Sequence, residues 1–392
     1  KYAMKTRSGE YMELTPDAMH KRMAKEFGRK EQEYANKIHL NGKAALLSEY
    51  GQNRNHLSEN DIYNLFRKFE YVVPQGSVMS GLGNPYMLAS LSNCVVLPEI
   101  YDSYGGVFQI DQQLAQLFKR RCGVGVDLSG LRPAGTSVSN AAGTTSGAAS
   151  FMERFSNTTR EVAQNGRRGA LMLTMDIAHP DVEMFITMKQ DLSKITGANV
   201  SVKLSDEFME AVKNNTDYTQ QWPVDAKKPK ITKTINAVDL WNTIIKCAHH
   251  TAEPGLIFWD RQHKYSTSSV YPGFKNVSTN PCSEIAMQGG DSCRLIALNL
   301  YNFVERPFTK SASFNYENFY KITYEAQRLM DDLVDLELES VERILDKIDK
   351  DPEPSHIKKV ERAVAIGSVG RDFATNYPAS QAPFQARIQQ LI

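Results

Sequence analysis

From residue 94 onward, short apolar stretches alternate with longer stretches of helical periodicity. This alternation leaves few architectures open. The short stretches fall at 94–98, 123–128, 170–176, 199–204, 255–259 and around 279–285, and the helical ones at 103–121, 146–163, 205–214, 237–252 and 315–347. Strands and helices in turn predict an α/β sheet or barrel. The first 75 or so residues differ. Residues 1–13 alternate weakly and predict a strand or arm. Thr15-Pro16-Asp17 reads as an N-cap with proline at the first helical position, opening a charged helix to about Asn36. Ser58 and Asp61 resemble a capping box ahead of the periodic stretch Ile62–Tyr71. The polar, Lys- and Pro-containing stretch Asn214–Lys233 predicts a surface insertion. Asp332–Glu342 places Leu and Val on one face of a long acidic helix.

A chain of 392 residues, 41% of them hydrophobic, supports a sizeable core in one large domain or two ordinary ones. Its 46 Lys and Arg balance 45 Asp and Glu, which gives no electrostatic reason to expect a nucleic-acid or membrane surface. No apolar run approaches the roughly 18–20 residues of a membrane span. The five cysteines, 94, 122, 247, 282 and 293, are sparse and odd in number. They argue for a reducing, cytoplasmic setting. None forms a C-x-x-C pair, so neither a zinc ribbon nor a thiol oxidoreductase of that type is expected, and no metal site is assigned. His249 and His250 are adjacent on a helix and face different ways, which makes them poor joint ligands.

The densest chemistry lies at 278–300, Ser-Thr-Asn-Pro-Cys-Ser-Glu-Ile-Ala-Met-Gln-Gly-Gly-Asp-Ser-Cys-Arg-Leu-Ile-Ala-Leu-Asn-Leu. Asn280, Cys282 and Glu284 occupy alternate positions. On an extended segment they would share one face. A thiol between an amide and a carboxylate suits redox or nucleophilic chemistry. The alternative is a buried cysteine in a strand with two polar neighbours at a turn.

Asn-Pro-Cys-Ser-Glu-Ile, then Asp-Ser-Cys-Arg-Leu and Leu-Asn-Leu, resembles the finger-loop region of the ribonucleotide reductase large (catalytic) subunit. The resemblance implies that Cys282 is the thiyl-radical position. Glu284 is then the carboxylate that accepts the 3′-hydroxyl proton, and Asn280 the amide that holds the ribose hydroxyls. Cys94, in Ser-Asn-Cys-Val-Val, resembles the first redox cysteine, and Cys293 resembles its partner. Cys122 and Cys247 match no role and read as buried structural thiols. Gly123–Pro133 followed by Ala134-Gly135-Thr136 resembles the strand leading into the first specificity loop. The small-residue run to Gly147 would meet effector phosphates through backbone N–H groups. Arg132 matches an effector-binding arginine, and Asp102 the carboxylate that contacts the effector's ribose. Gln164-Asn165-Gly166-Arg167-Arg168-Gly169 resembles the second specificity loop, with Gln164, Arg167 and Arg168 as candidate relay residues. His179-Pro180-Asp181 matches as a structural turn and helix start.

The resemblance runs from about residue 1 to 370, where Arg362–Gly370 matches a further barrel strand with Ala365 at a usual glycine. It implies a ten-stranded α/β barrel, at least its first half, after a helical N-terminal region. The expected divisions are 1–75, 76–370 and a tail, 371–392. Family members continue further, with the remaining strands, a Ser/Thr-rich phosphate loop and C-terminal cysteines. A split enzyme, a truncated chain and a reduced form all fit. The motif wording most resembles the adenosylcobalamin-dependent branch. The rivals are a class I alpha subunit, with no bound cofactor and a radical from a metal-containing small subunit, and an inactive half-barrel that binds nucleotide. The implied partners are a ribonucleoside di- or triphosphate substrate, a deoxynucleoside triphosphate effector and a thioredoxin- or glutaredoxin-type reductant. A second copy in a homodimer and a C-terminal partner chain complete the set.

Overall fold

A computed structural model describes residues 2–41, 56–162, 169–271 and 273–367. The chain divides into two compact units, Lys1–Asn93 with Cys293–Glu353, and Cys94–Ser292 with the stretch from Pro354.

The second unit is built on five parallel strands: Cys94–Val96, Gly123–Asp127, Leu171–Asp176, Asn199–Leu204 and Gly255–Phe258. They lie side by side in chain order. The helices Tyr104–Phe118, Met152–Glu161, Val182–Thr187, Asp206–Asn214 and Ala237–Thr251 fall between successive strands. The middle strands are almost wholly buried, as parallel strands covered on both faces must be. Val124, Val126, Leu173 and Val202 pack with Leu114, Phe118, Phe155 and Phe208 of the helices. The segment that ends at Ser292 runs along the Cys94–Val96 edge. There Gly290 N–H donates to Val96 O at 2.8 Å and Val96 N–H to Asp291 O at 3.1 Å. Among the described residues this sheet is open. The α/β expectation holds, and closure into ten strands is not seen.

Two local expectations are corrected, and a third region gains a defined form. The strand expected around 279–285 is two short antiparallel strands, Asn276–Thr279 and Ala286–Gln288, with a turn between them. Arg362–Gly370 was expected to be a strand, but the chain is helical over Ser355–Gly367. A short apolar run does not distinguish strand from helix by itself. Ile357, Glu361, Val364 and Ala365 form one helical stripe, with Val364 in the core and Glu361 bonded to Lys119 at 2.7 Å. The predicted insertion at 214–233 is a regular hairpin, Asp217–Trp222 paired with Ile231–Asn236. Its Tyr218, Gln220 and Trp222 alternate inward.

The first unit carries the expected N-terminal helices. Ala18 N–H is capped by Thr15 at 3.3 Å, opening Pro16–Asn41. Ser58 and Asp61 form a complete capping box ahead of Glu59–Phe66. Residues 2–13 form an arm with a bridge between Lys5 and Tyr11. The 35-residue helix Tyr316–Lys350 buries Leu329, Leu333 and Leu336 against Met23, Phe27, Ile62 and Phe66. Its Arg328 donates to Glu31 at 2.9 Å inside the unit, so both charges are buried as a pair. No helix among the described residues is long and apolar enough to cross a membrane.

Candidate active site

The turn between Thr279 and Ala286 presents the predicted triad, though not along one extended face. Asn280 N–H donates to Ile285 O at 3.2 Å, Ile285 N–H returns to Asn280 Oδ1 at 3.2 Å, and Ser283 N–H donates to Asn280 O at 3.0 Å. Ser283 takes a left-handed φ of 66°, which closes the loop and breaks strand alternation. Asn280 is fully buried, while Cys282 and Glu284 are exposed. Asn199 Nδ2 donates to Pro281 O at 3.1 Å and fixes the turn from the fourth strand.

Asn280 Nδ2 lies 3.8 Å from Cys94 Sγ. A segment and a cysteine nearly 200 residues earlier thus meet in one place. Cys94 is buried at the start of its strand. Cys293 is buried in the other unit, where its carbonyl accepts from Asn93 N–H at 2.8 Å, and Asn93 Oδ1 accepts from Leu295 N–H at 3.0 Å. Cys122 and Cys247 are buried in the core, as expected of structural thiols. No group of three or more His, Cys, Asp or Glu able to hold a metal occurs among the described residues.

The candidate effector residues meet at a second place in the same unit. Arg132 donates to Asp102 from its Nε at 2.8 Å and from its backbone N–H at 3.1 Å. The pair borders a cavity of about 230 Å³ lined by Ser103, Tyr104, Val138, Asn140 and Thr145 among others. The loop is shaped by a bridge between Ser137 and Thr144 and is anchored through Asp181. Asp181 accepts from Ala134 N–H at 3.0 Å and Ala148 N–H at 2.8 Å. His179 holds that anchor. Its Nε2 bonds Leu131 O at 2.8 Å and its Nδ1 accepts from Asp181 N–H at 3.0 Å. Burial pushes the His179 pKa down from its ordinary value, and the neutral ring matches one donated and one accepted bond. Gln164, Arg167 and Arg168 lie outside the described residues.

Sequence reading passed over Asp127 and Lys203, which face each other at 3.0 Å, nearly fully buried, on the second and fourth strands. The available signal was a charge closing each apolar run, Val-Gly-Val-Asp and Val-Ser-Val-Lys.

The family pattern described as the ribonucleotide reductase barrel domain matches residues 92–371, and the chain belongs to that family. A vitamin B12-dependent ribonucleoside-diphosphate reductase of Thermoplasma acidophilum is 32% identical over 304 residues, covering 76% of this chain and 36% of the relative. Its namesake in Mycobacterium tuberculosis is 32% identical over 275 residues, 69% of this chain and 38% of the relative. The ribonucleoside-diphosphate reductase large chain 2 of Saccharomyces cerevisiae is 24% identical over 359 residues, 84% of this chain and 39% of the relative. The chain thus spans well under half the length of these relatives.

Proposed function

We propose that the chain forms the first part of the catalytic barrel of an adenosylcobalamin-dependent ribonucleotide reductase, reducing ribonucleoside di- or triphosphates to 2′-deoxy forms. The observation that carries this reading is the turn itself. It exposes Cys282 and Glu284 and sets Asn280 Nδ2 3.8 Å from Cys94 Sγ. Taking hydrogen from an unactivated ribose C3′ requires a one-electron abstraction, which a thiyl radical performs and a thiolate does not. Glu284 then accepts the 3′-hydroxyl proton as the 2′-hydroxyl leaves as water. Asn280 is the amide that would hold the ribose hydroxyls. Cys94 and Cys293 supply two electrons and two protons and end as a disulfide, which an external thioredoxin- or glutaredoxin-type thiol reopens by exchange.

An exposed Cys282 fits a radical source that approaches from outside the sheet. Adenosylcobalamin supplies that one-electron chemistry through homolysis of its Co–C bond. The names of the Thermoplasma and Mycobacterium relatives support that cofactor. The Asp102–Arg132 cavity supports a deoxynucleoside triphosphate effector. At about 230 Å³ it is below the roughly 300–1,000 Å³ of a complete small-molecule pocket and suits part of a nucleotide. A second copy would complete it.

The test is reduction by the complete enzyme with a dithiol reductant, with and without adenosylcobalamin. Deoxynucleotide formed only with the cofactor is expected. Product that required a metal-containing small subunit instead would overturn the cofactor, and no product under either condition would overturn the reaction.

A further inference from the structure

The strand that leads into the turn, Asn276–Thr279, lies directly on the parallel sheet. A Cβ on Gly125 would stand 1.9 Å from Thr279 O, so only glycine permits the approach. Beneath this strand is a buried polar network. Lys203 Nζ reaches Asp127 Oδ1 at 3.0 Å and Val277 O at 3.4 Å, and lies 4.8 Å from the centre of the Trp259 ring. These give the ammonium three partners. Asp127 Oδ1 also accepts from Thr174 Oγ1 at 2.9 Å and Ser129 Oγ at 3.1 Å. Thr174 Oγ1 stands 2.8 Å from Ser278 Oγ. With the Thr174 proton given to the carboxylate, Ser278 is the donor across that bond. Burial alone would depress the Lys203 ammonium, but the Asp127 and Asp176 carboxylates beside it outweigh that and hold its pKa above the ordinary value.

We propose that Asp127, Thr174 and Lys203 are positioning residues that grip the Asn276–Thr279 strand through Val277 O and Ser278 Oγ, and so fix where the Asn280–Ile285 turn presents Cys282. This rests on reading Cys282 as the reacting thiol. The network reaches the strand at two successive residues, one by its backbone and one by its side chain. Both lie within five residues of Cys282, and a buried ion pair resists displacement because separating it strands a charge. Misplacing a reacting group by about 1 Å can cost on the order of 10²-fold in rate.

Lys203→Met keeps the side chain's length and removes its charge, and Ser278→Ala removes only the strand's own hydroxyl. Cys282 is the exposed cysteine and the other four are buried, so a small maleimide reports on the turn without any turnover. Both variants are expected to change the Cys282 alkylation rate several-fold. In the complete enzyme they should lower kcat by ~10-fold or more with KM little changed, and Lys203→Arg should restore much of both. Folded variants with a lower melting temperature but native alkylation and kcat would overturn the proposal, leaving the pair structural. If Lys203→Met does not fold, Ser278→Ala decides alone by the same two readouts. If Cys282→Ser still turns over, the catalytic reading fails separately, because the alkylation result does not depend on it.

Discussion

The turn at 280–285 and the loop at 131–147 are held by opposite means. The turn is fixed from within and below. Backbone bonds close it on Asn280, and Asn199 and the Asp127–Lys203 network hold its flank and its entering strand. The candidate thiol and carboxylate, Cys282 and Glu284, are exposed on it. In the loop, the candidate ligand-binding groups are themselves the supports, since Arg132 is engaged by Asp102 while both remain partly exposed. A site that must place a radical within bonding distance of one carbon needs the first arrangement. A site that senses a ligand can use the second, because an incoming phosphate or ribose competes with an existing pair and so alters the loop.

The contrast is broken most severely at the turn. Glu284→Gln keeps the shape and removes the base, and should lower turnover by roughly 10²–10⁴-fold in the complete enzyme. A loss under tenfold would mean that Glu284 is not the proton acceptor. At the loop, Arg132→Ala should weaken effector binding by about 1.5–3 kcal/mol in calorimetry, the worth of a hydrogen bond to a charged group. Unchanged affinity would remove Arg132 from the site and leave it as a partner of Asp102 alone.

The smallest effect concerns the anchor beneath the loop. His179 is held neutral, with a folded pKa below its ordinary 6.5. The unfolded chain therefore binds more protons as pH falls below about 6.5, and stability should decline on acidification through that window toward the lower folded value. Denaturant titrations across it should show a shallower decline for His179→Asn than for the parent chain. Equal slopes would show that His179 does not carry the linkage.

The five parallel strands were legible because each is a short apolar run between amphipathic helices, a pattern dictated by burial on both faces. The chemical groups of the turn were legible too, as words in one contiguous segment. Its geometry was not. Even spacing suggested an extended strand, whereas the Asn280 side chain competes for the Ile285 N–H and Ser283 adopts a positive φ, both of which favour a turn. The helix at 355–367 was hidden by the brevity of Ala-Val-Ala-Ile, and only the spacing of Ile357, Glu361 and Val364 identifies it. The Asp127–Lys203 pair was illegible because strand order, not sequence proximity, brings the two together. Which helix start faces which loop, as at Asp102 and Arg132, was available only through resemblance.

The central claim is that Cys282 removes hydrogen from the substrate ribose. It is tested most directly with ribonucleotide deuterated at C3′, given to the complete enzyme and to its Cys282→Ser variant under the same strong chemical reductant. The account predicts a deuterium isotope effect on product formation by the parent enzyme and no deoxynucleotide from the variant, because serine offers no accessible oxygen radical. Turnover by Cys282→Ser with a C3′ isotope effect would contradict it and assign the abstraction to another residue.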